Sequence, residues 1–187
     1  MTVKLSINPD GVLEKAEFLH DAGAVVPEGV RNIGEGEFCE PVALVDFEIS
    51  DSVTAIGDGA FAGCDGLAGV TIPGRVARVG NRAFYDCYAL ASATMRRGVA
   101  EIGDHAFAEC NQLAAVDLPD GLARIGDGAF AWCESLAVAT IPGSVEHIGE
   151  GAFAHCAKHL VLRAPAGSCA ERHALENGIQ FQASTRL

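Results

Sequence analysis

Apolar residues return to the same place along this chain every 23 residues. Phe38, Phe61, Phe84, Phe107, Phe130 and Phe153 form one column, and Ile33, Ile56, Val79, Ile102, Ile125 and Ile148 form another, each followed by glycine. Leu44, Leu67, Leu90, Leu113 and Leu136 make a third column. Ile49, Ile72, Met95, Leu118 and Ile141 make a fourth, and Val53, Val76, Val99, Leu122 and Val145 a fifth. A fixed period in this range marks a solenoid, in which each unit stacks on the one before. Columns so uniformly apolar must point inward, because outside they would leave a hydrophobic ridge along the whole rod.

Within a coil, the apolar spacing of two at Val70 and Ile72 predicts a short strand. Pro73, Pro119 and Pro142 end it, since proline has no amide hydrogen for a continuing ladder. One strand per coil, all in one direction, predicts a parallel sheet with about 4.8 Å between coils. Six coils then stack over roughly 25–30 Å at that spacing. The glycine after each isoleucine suits a corner, where its freedom of backbone angle is useful. Glu35, Asp58, Asp104, Asp127 and Glu150 share a column just before each Ala-Phe turn. Asp58, Asp104 and Asp127 read as N-caps of a short helical turn, accepting hydrogen bonds from its free amides. Calcium is the alternative, but Asn81 interrupts the acids, and calcium needs six to eight converging oxygens.

The flanks differ from the coils. Val3, Leu5 and Ile7 alternate with polar residues, and Asn8-Pro9-Asp10-Gly11 is a turn signal. Residues 1–23 are therefore expected to be a hairpin that covers the open end of the first coil. Residues 24–165 hold the six coils. In residues 166–187, Ser168 and Glu171 form a capping box, Ala170, Ala174 and Leu175 supply an inward helix face, and Asn177-Gly178 stops the helix. Ile179 to Gln182 then alternate like a last strand, completing a C-terminal helix–strand cap.

The run from Ile72 to Leu90 reads Ile-Pro-x-x-Val-x-x-Val-Gly-x-x-Ala-Phe-x-x-Cys-x-x-Leu, with Val79 in a place usually held by isoleucine. This pattern resembles the BspA-like leucine-rich repeats and covers residues 24–165. The resemblance implies a curved, right-handed leucine-rich-repeat solenoid with its parallel sheet on the concave side. It also implies a binding or adhesion role, because such relatives are commonly bacterial surface or secreted proteins. It brings no catalytic residues. Two places depart from the pattern: Arg96 and Arg97 replace the proline corner of the third coil, and Pro41 stands where the first coil's cysteine belongs.

Charge narrows the partners. The 187 residues carry a formal net charge of -12, with -9 in residues 1–60 and -3 in the rest. Such a balance argues against nucleic acid and anionic membrane surfaces. No apolar run is long enough for membrane insertion, and the first residues lack the apolar core of a signal peptide. The expected location is cytoplasmic if Met1 is the native start, and cell-surface or secreted if an export signal was removed.

Candidate chemistry is sparse. Cys64, Cys87, Cys110, Cys133 and Cys156 form a column in which neighbours lie close enough for disulfides. Stacked side chains run parallel, so a ladder of buried free thiols is expected, and a straight column does not gather ligands for zinc. His155 and His159, four residues apart, could share a metal on a helix, with His147 nearby. Lys158 crowds that pair, and surface histidines are the expected outcome. Arg78, Glu101 and Arg124 occupy one column and should pair across coils.

On the concave face, Glu48, Thr71, Thr94, Asp117, Thr140 and Arg163 point outward, and the neighbouring column is small and bland. Aromatic residues follow the phenylalanine turn instead: Tyr85, Tyr88 and Trp132, with His155 one coil beyond. Interface hot spots favour such residues. The expected function is noncatalytic recognition of a protein or glycan, with Tyr85, Tyr88, Trp132, His155, Glu48, Asp117 and Arg163 as candidate contacts and no cofactor or resident metal. A structural spacer or self-associating module is the alternative, and a metal-binding protein centred on His155 and His159 a third. No nucleophile, acid–base pair or phosphate loop points to an enzyme.

Overall fold

The computed structural model describes residues 3–18, 24–26, 28–34 and 47–184. Strands β1 (Val3–Ile7) and β2 (Val12–Phe18) pair antiparallel. The turn between them is held by Asn8, whose Oδ1 accepts from the amides of Asp10 and Val12 at 3.0 and 3.1 Å. Each following coil contributes a longer strand and a two-residue strand. In chain order these are β3 (Ala24–Val26), β4 (Asn32–Ile33), β5 (Phe47–Ile49), β6 (Ala55–Ile56), β7 (Gly69–Ile72) and β8 (Arg78–Val79). Next come β9 (Ser92–Met95), β10 (Glu101–Ile102), β11 (Ala115–Asp117), β12 (Arg124–Ile125), β13 (Val138–Thr140), β14 (His147–Ile148) and β15 (Val161–Ala164). Helix α1 (Cys169–Asn177) and strand β16 (Gln180–Ala183) follow.

The two-residue strands form one parallel ladder with the 23-residue register, Ile102 opposite Val79 and Ile125 opposite Ile102. The N-terminal β2 joins the head of this ladder, with Leu13 opposite Ile33. The longer strands are also parallel and in register, but their ladder is not continuous. It divides into β3-β5-β7-β9 and β11-β13-β15-β16. The division falls at the coil whose corner is Met95-Arg96-Arg97-Gly98 in place of an Ile-Pro corner. There Arg96 pairs with Asp51 at 2.8 Å and Arg97 with Asp120. Elsewhere the strands stop as expected, β7 just before Pro73 and β13 ahead of Pro142.

The interior is built by translation. The rings of Phe61, Phe84, Phe107, Phe130 and Phe153 stack in order, with centroids 5.0–5.4 Å apart and planes within 8° of parallel. Such aromatic pairs add roughly 0.5–1.5 kcal/mol beyond their buried area. The leucine, valine and isoleucine columns among the described residues are buried around them, except that Ile148 in the last coil is half-buried. Phe38, Cys39, Pro41, Leu44, Glu35 and Asp46 lie outside the described residues.

The cysteines from Cys87 onward are free thiols, as the column geometry implies. Cys64 departs from the expected free-thiol ladder: it is disulfide-bonded, although its column neighbour Cys87 is free. Each later thiol has a structural task that its small apolar character does not explain. The Sγ of Cys87, Cys110, Cys133 and Cys156 donates to the carbonyl of Phe61, Phe84, Phe107 and Phe130 in the coil before, at 3.1–3.2 Å. Burial pushes the Cys156 thiol up to about 12, and burial followed by the Cys156 charge raises Cys133 further.

The corner glycines are needed for closeness rather than for unusual angles. Gly126 has no positive φ, but a Cβ there would lie 2.5 Å from Asp104 Oδ1 and 2.6 Å from its amide nitrogen. The acidic column also works between coils. Asp58, Asp104 and Asp127 do accept backbone amides, but from the next coil rather than from their own turn. Asp58 accepts from Asn81, Asp104 from Asp127, and Asp127 from Glu150, at 2.7–2.9 Å. Asn81 continues the column instead of interrupting it, its Oδ1 accepting from Asp104 at 2.9 Å. Arg78 and Arg124 flank Glu101 at 3.4 and 3.7 Å, exposed pairs worth roughly 0.2–1 kcal/mol each.

At the C-terminal end, Ser168 accepts from Glu171 N at 3.3 Å, and Gly178 closes the helix in the left-handed region. Strand β16 pairs parallel with β15. Leu175, expected to face inward, is 74% exposed, and His173 is buried beside Ala170 and Ala174 in its place. The helix lies on the last coil so that positions 170, 173 and 174 meet the stack, and the next position turns outward.

Three outcomes test this account. Cys110→Ala leaves the Phe84 carbonyl without its donor and should cost about 1–2 kcal/mol in urea unfolding, with Cys110→Ser costing less. Asp104→Ala strands the Asp127 amide at a more exposed place, and a loss of about 0.5–1.5 kcal/mol is expected. At pH 8, Cys133 and Cys156 should resist thiol reagents in the native protein and react on unfolding. Because their folded values lie above the unfolded one, the stability they contribute is complete below the ordinary thiol range and declines as pH rises through it toward 12. Rapid native labelling of Cys133 would refute its enclosure; the half-buried Cys156 is protected by its raised pKa rather than by full cover.

Candidate functional site

The turn after each corner glycine creates two columns of left-handed residues. Arg82 and His105, with glycines 59, 128 and 151, form the first. Gly63, Asp86, Glu109, Trp132 and His155 form the second, with φ between 55° and 70°. Stacking forces these angles on every described turn from residue 59 onward, whatever residue the coil supplies. A side chain other than glycine held there costs of order 1–3 kcal/mol. Where the second coil uses glycine, the fifth and sixth use Trp132 and His155.

Those two rings come together. Their centroids are 3.9 Å apart with planes 16° from parallel, and Trp132 is 48% exposed. Tyr88 is also exposed on this edge, in the third coil. Tyr85 is less available. Its hydroxyl donates to Glu109 Oε1 at 2.5 Å, a bond that raises its pKa together with burial, and Arg82 lies over its ring at 5.7 Å. The sequence therefore located the aromatic edge, and the structure separates the locked Tyr85 from the accessible Trp132, His155 and Tyr88.

The concave candidates form a different surface. Asp117, Thr140 and Arg163 stand in register on β11, β13 and β15. Asp117 and Arg163 are exposed, and Arg163 Nε donates to Gln182 at 2.8 Å. A groove of about 660 Å³ runs over them beside the ladder division, with Ser92, Thr94 and Val138 among its walls. Glu48 belongs to a separate recess with Asp51, Thr71 and Arg96. These seven candidates thus do not make one site.

His155 and His159 are exposed at the last turn, and His147 sits apart on β14. Among the described residues, no group of three or more His, Cys, Asp or Glu side chains could hold a metal ion. No helix of the described residues is long and apolar enough to cross a membrane.

Sequence reasoning missed His173. It packs edge-on against Phe153, with ring centroids 6.0 Å apart, and burial lowers its pKa against an opposing pull from Glu176. A recess of about 380 Å³ lies beside it, between the last turn and the segment after α1. The signal available was its spacing from Ala170 and Ala174 on the helix, which the more apolar Leu175 obscured.

Comparison with known proteins agrees with this architecture. The chain is similar to a leucine-rich repeat protein from Bacteroides ovatus, with 26% identity and a TM-score of 0.68 over 87% of this chain and 42% of that one. It is similar to the T. pallidum leucine-rich repeat protein, with 29% identity and a TM-score of 0.62 over 86% of this chain and 68% of that one. A leucine-rich cell surface protein from Faecalibacterium prausnitzii matches at 25% identity and a TM-score of 0.58, over 87% of this chain and 52% of that one. The chain thus spans less than half the length of the first of these proteins. No curated protein matches it. The model of the BspA type leucine-rich repeat region matches six copies over residues 31–159, and the chain belongs to that family.

Proposed function

We propose that this chain is a noncatalytic recognition module that binds a protein or glycan partner along its turn edge. Leucine-rich repeat proteins are generally protein-interaction modules. The observation that carries the assignment to this edge is the Trp132–His155 stack. Two aromatic rings occupy left-handed backbone positions that glycine would fill without strain, and one of them keeps nearly half its surface open. Backbone strain retained at an exposed aromatic pair is a cost to the fold that binding explains. Tyr88 extends the same edge, and Asp117 and Arg163 supply a polar groove on the concave face for a partner large enough to reach it.

The edge has the composition of an interface centre, since Trp and Tyr dominate the residues whose truncation costs most in binding. A rigid stack presents these side chains with little conformational freedom left to lose on association. No gathered metal ligands are found among the described residues, and the family is typically noncatalytic.

Trp132→Gly separates binding from stability. Relief of the left-handed strain and loss of the ring stack should offset to within about 1 kcal/mol, leaving thermal unfolding nearly unchanged. Binding to the strongest hits from a glycan array and a peptide display library should fall at least about tenfold, as for an interface hot spot. Hits that bind Trp132→Gly and His155→Ala as tightly as the parent would remove the turn edge as the recognition surface.

A further inference from the structure

Every described turn but the last gives its N–H groups to the coil that follows. Gly128, Phe130 and Trp132 donate to the carbonyls of Glu150, Ala152 and Ala154 at 2.9, 2.8 and 2.8 Å. Gly59, Phe61 and Gly63 do the same to Asn81, Ala83 and Tyr85. The equivalent donors of the final turn are the amides of Gly151, Phe153 and His155. They have no acceptor among the described residues. Strand β16 continues the stack on the longer-strand side, and helix α1 packs against β14, β15 and β16. They leave the recess of about 380 Å³ that these three residues line.

The lining has a chemical bias. Lys158 is its charged residue, and no carboxylate contributes to it, whereas three other recesses on the described surface each include at least two carboxylates. Phe153, Leu160 and Ile179 make it apolar on one side. The His173 side chain also lines it, only 8% exposed and without a hydrogen-bond partner among the described residues. A cation, three unpaired backbone donors and an apolar wall converge in an otherwise acidic protein.

We propose that this recess captures the free C-terminal carboxylate of a peptide whose last side chain is apolar. The donor trio is matched to polypeptide, because in the coils before it the same three positions hold backbone oxygens of alternate residues. A terminal carboxylate adds charge-assisted hydrogen bonds and the attraction of Lys158. Capture of chain ends by arrays of backbone N–H groups is an established mode of peptide recognition. The apolar wall receives the last side chain. This site shares His155 with the Trp132 edge but uses its backbone N–H rather than its ring, and it does not depend on what binds at that edge.

The test uses the whole chain labelled with nitrogen-15. It is titrated through the millimolar range with acetyl-Gly-Val-Leu as the free acid and as the C-terminal amide. The amide resonances of Gly151, Phe153 and His155 should shift saturably with the acid and not with the amide. Lys158→Gln should weaken the acid about two- to fivefold, the range for one exposed charge pair, without changing thermal stability. Trp132→Gly should keep the response, so that failure at the turn edge and failure here are told apart. Absence of a saturable shift, or equal shifts with both peptides, overturns the proposal. Isovalerate binding as tightly as the peptide overturns the assignment to a chain end. Shifts that follow protein concentration without peptide overturn it in favour of a second copy.

Discussion

Backbone hydrogen bonding from coil to coil is the constraint on which everything else in this molecule rests. A single coil has a strand of three or four residues, a strand of two and a tight turn; the strands do not pair within their own coil, and the turn does so only through short bonds such as Ala131 N to Gly128 O. The other amides and carbonyls find partners 22 to 24 residues away. One unit alone would leave its polar backbone unpaired and its apolar side chains exposed, so coils are stable only as neighbours. The short separation this imposes brings phenylalanine rings to 5.0–5.4 Å and leaves no room for a Cβ at Gly126.

The same constraint recruits side chains that would be incidental in a globular core. The aspartate and asparagine column hands an acceptor to each successive coil, and the cysteine column hands a donor to the carbonyls of Phe61, Phe84, Phe107 and Phe130. Both satisfy backbone groups that the main ladders leave over. A small hydrogen-bonding residue at a fixed place in the repeat is therefore a structural part, and neither column gathers atoms around a common point as a metal would require. The ends pose the opposite problem, since an end coil has a neighbour on one side only. Strand β2 pairs with the first two-residue strand, and β16 with the last longer strand. The final turn is left with Gly151, Phe153 and His155 facing the recess.

Function in such a fold is confined to positions the stack does not consume. The turn edge offers them because its left-handed backbone angles are dictated by the stack, while its side chains point away from it. Trp132 and His155 exploit that freedom at the cost of local strain, and Gly63 in the same column declines it. The ladder division beside β9 and β11 gives the concave face a large groove, at the coil where the arginine pair Arg96 and Arg97 replaces the proline corner.

The chain's own pattern was enough to establish the coil count, the inward columns, the strand ends at Pro73 and Pro142, and the pairing of Arg78 and Arg124 with Glu101. All of these depend on one residue repeating at one offset, and translation carries such a feature directly into space. Tertiary structure alone decided from which coil Asp104 accepts its hydrogen bond, why Gly126 is glycine, that Tyr85 is locked while Trp132 is open, and that His173 rather than Leu175 faces the last coil. Each of these turns on an approach between atoms of different coils or of a coil and the helix. Distances of that kind arise from the angle and separation at which neighbours settle, and a linear order of residue types does not contain them.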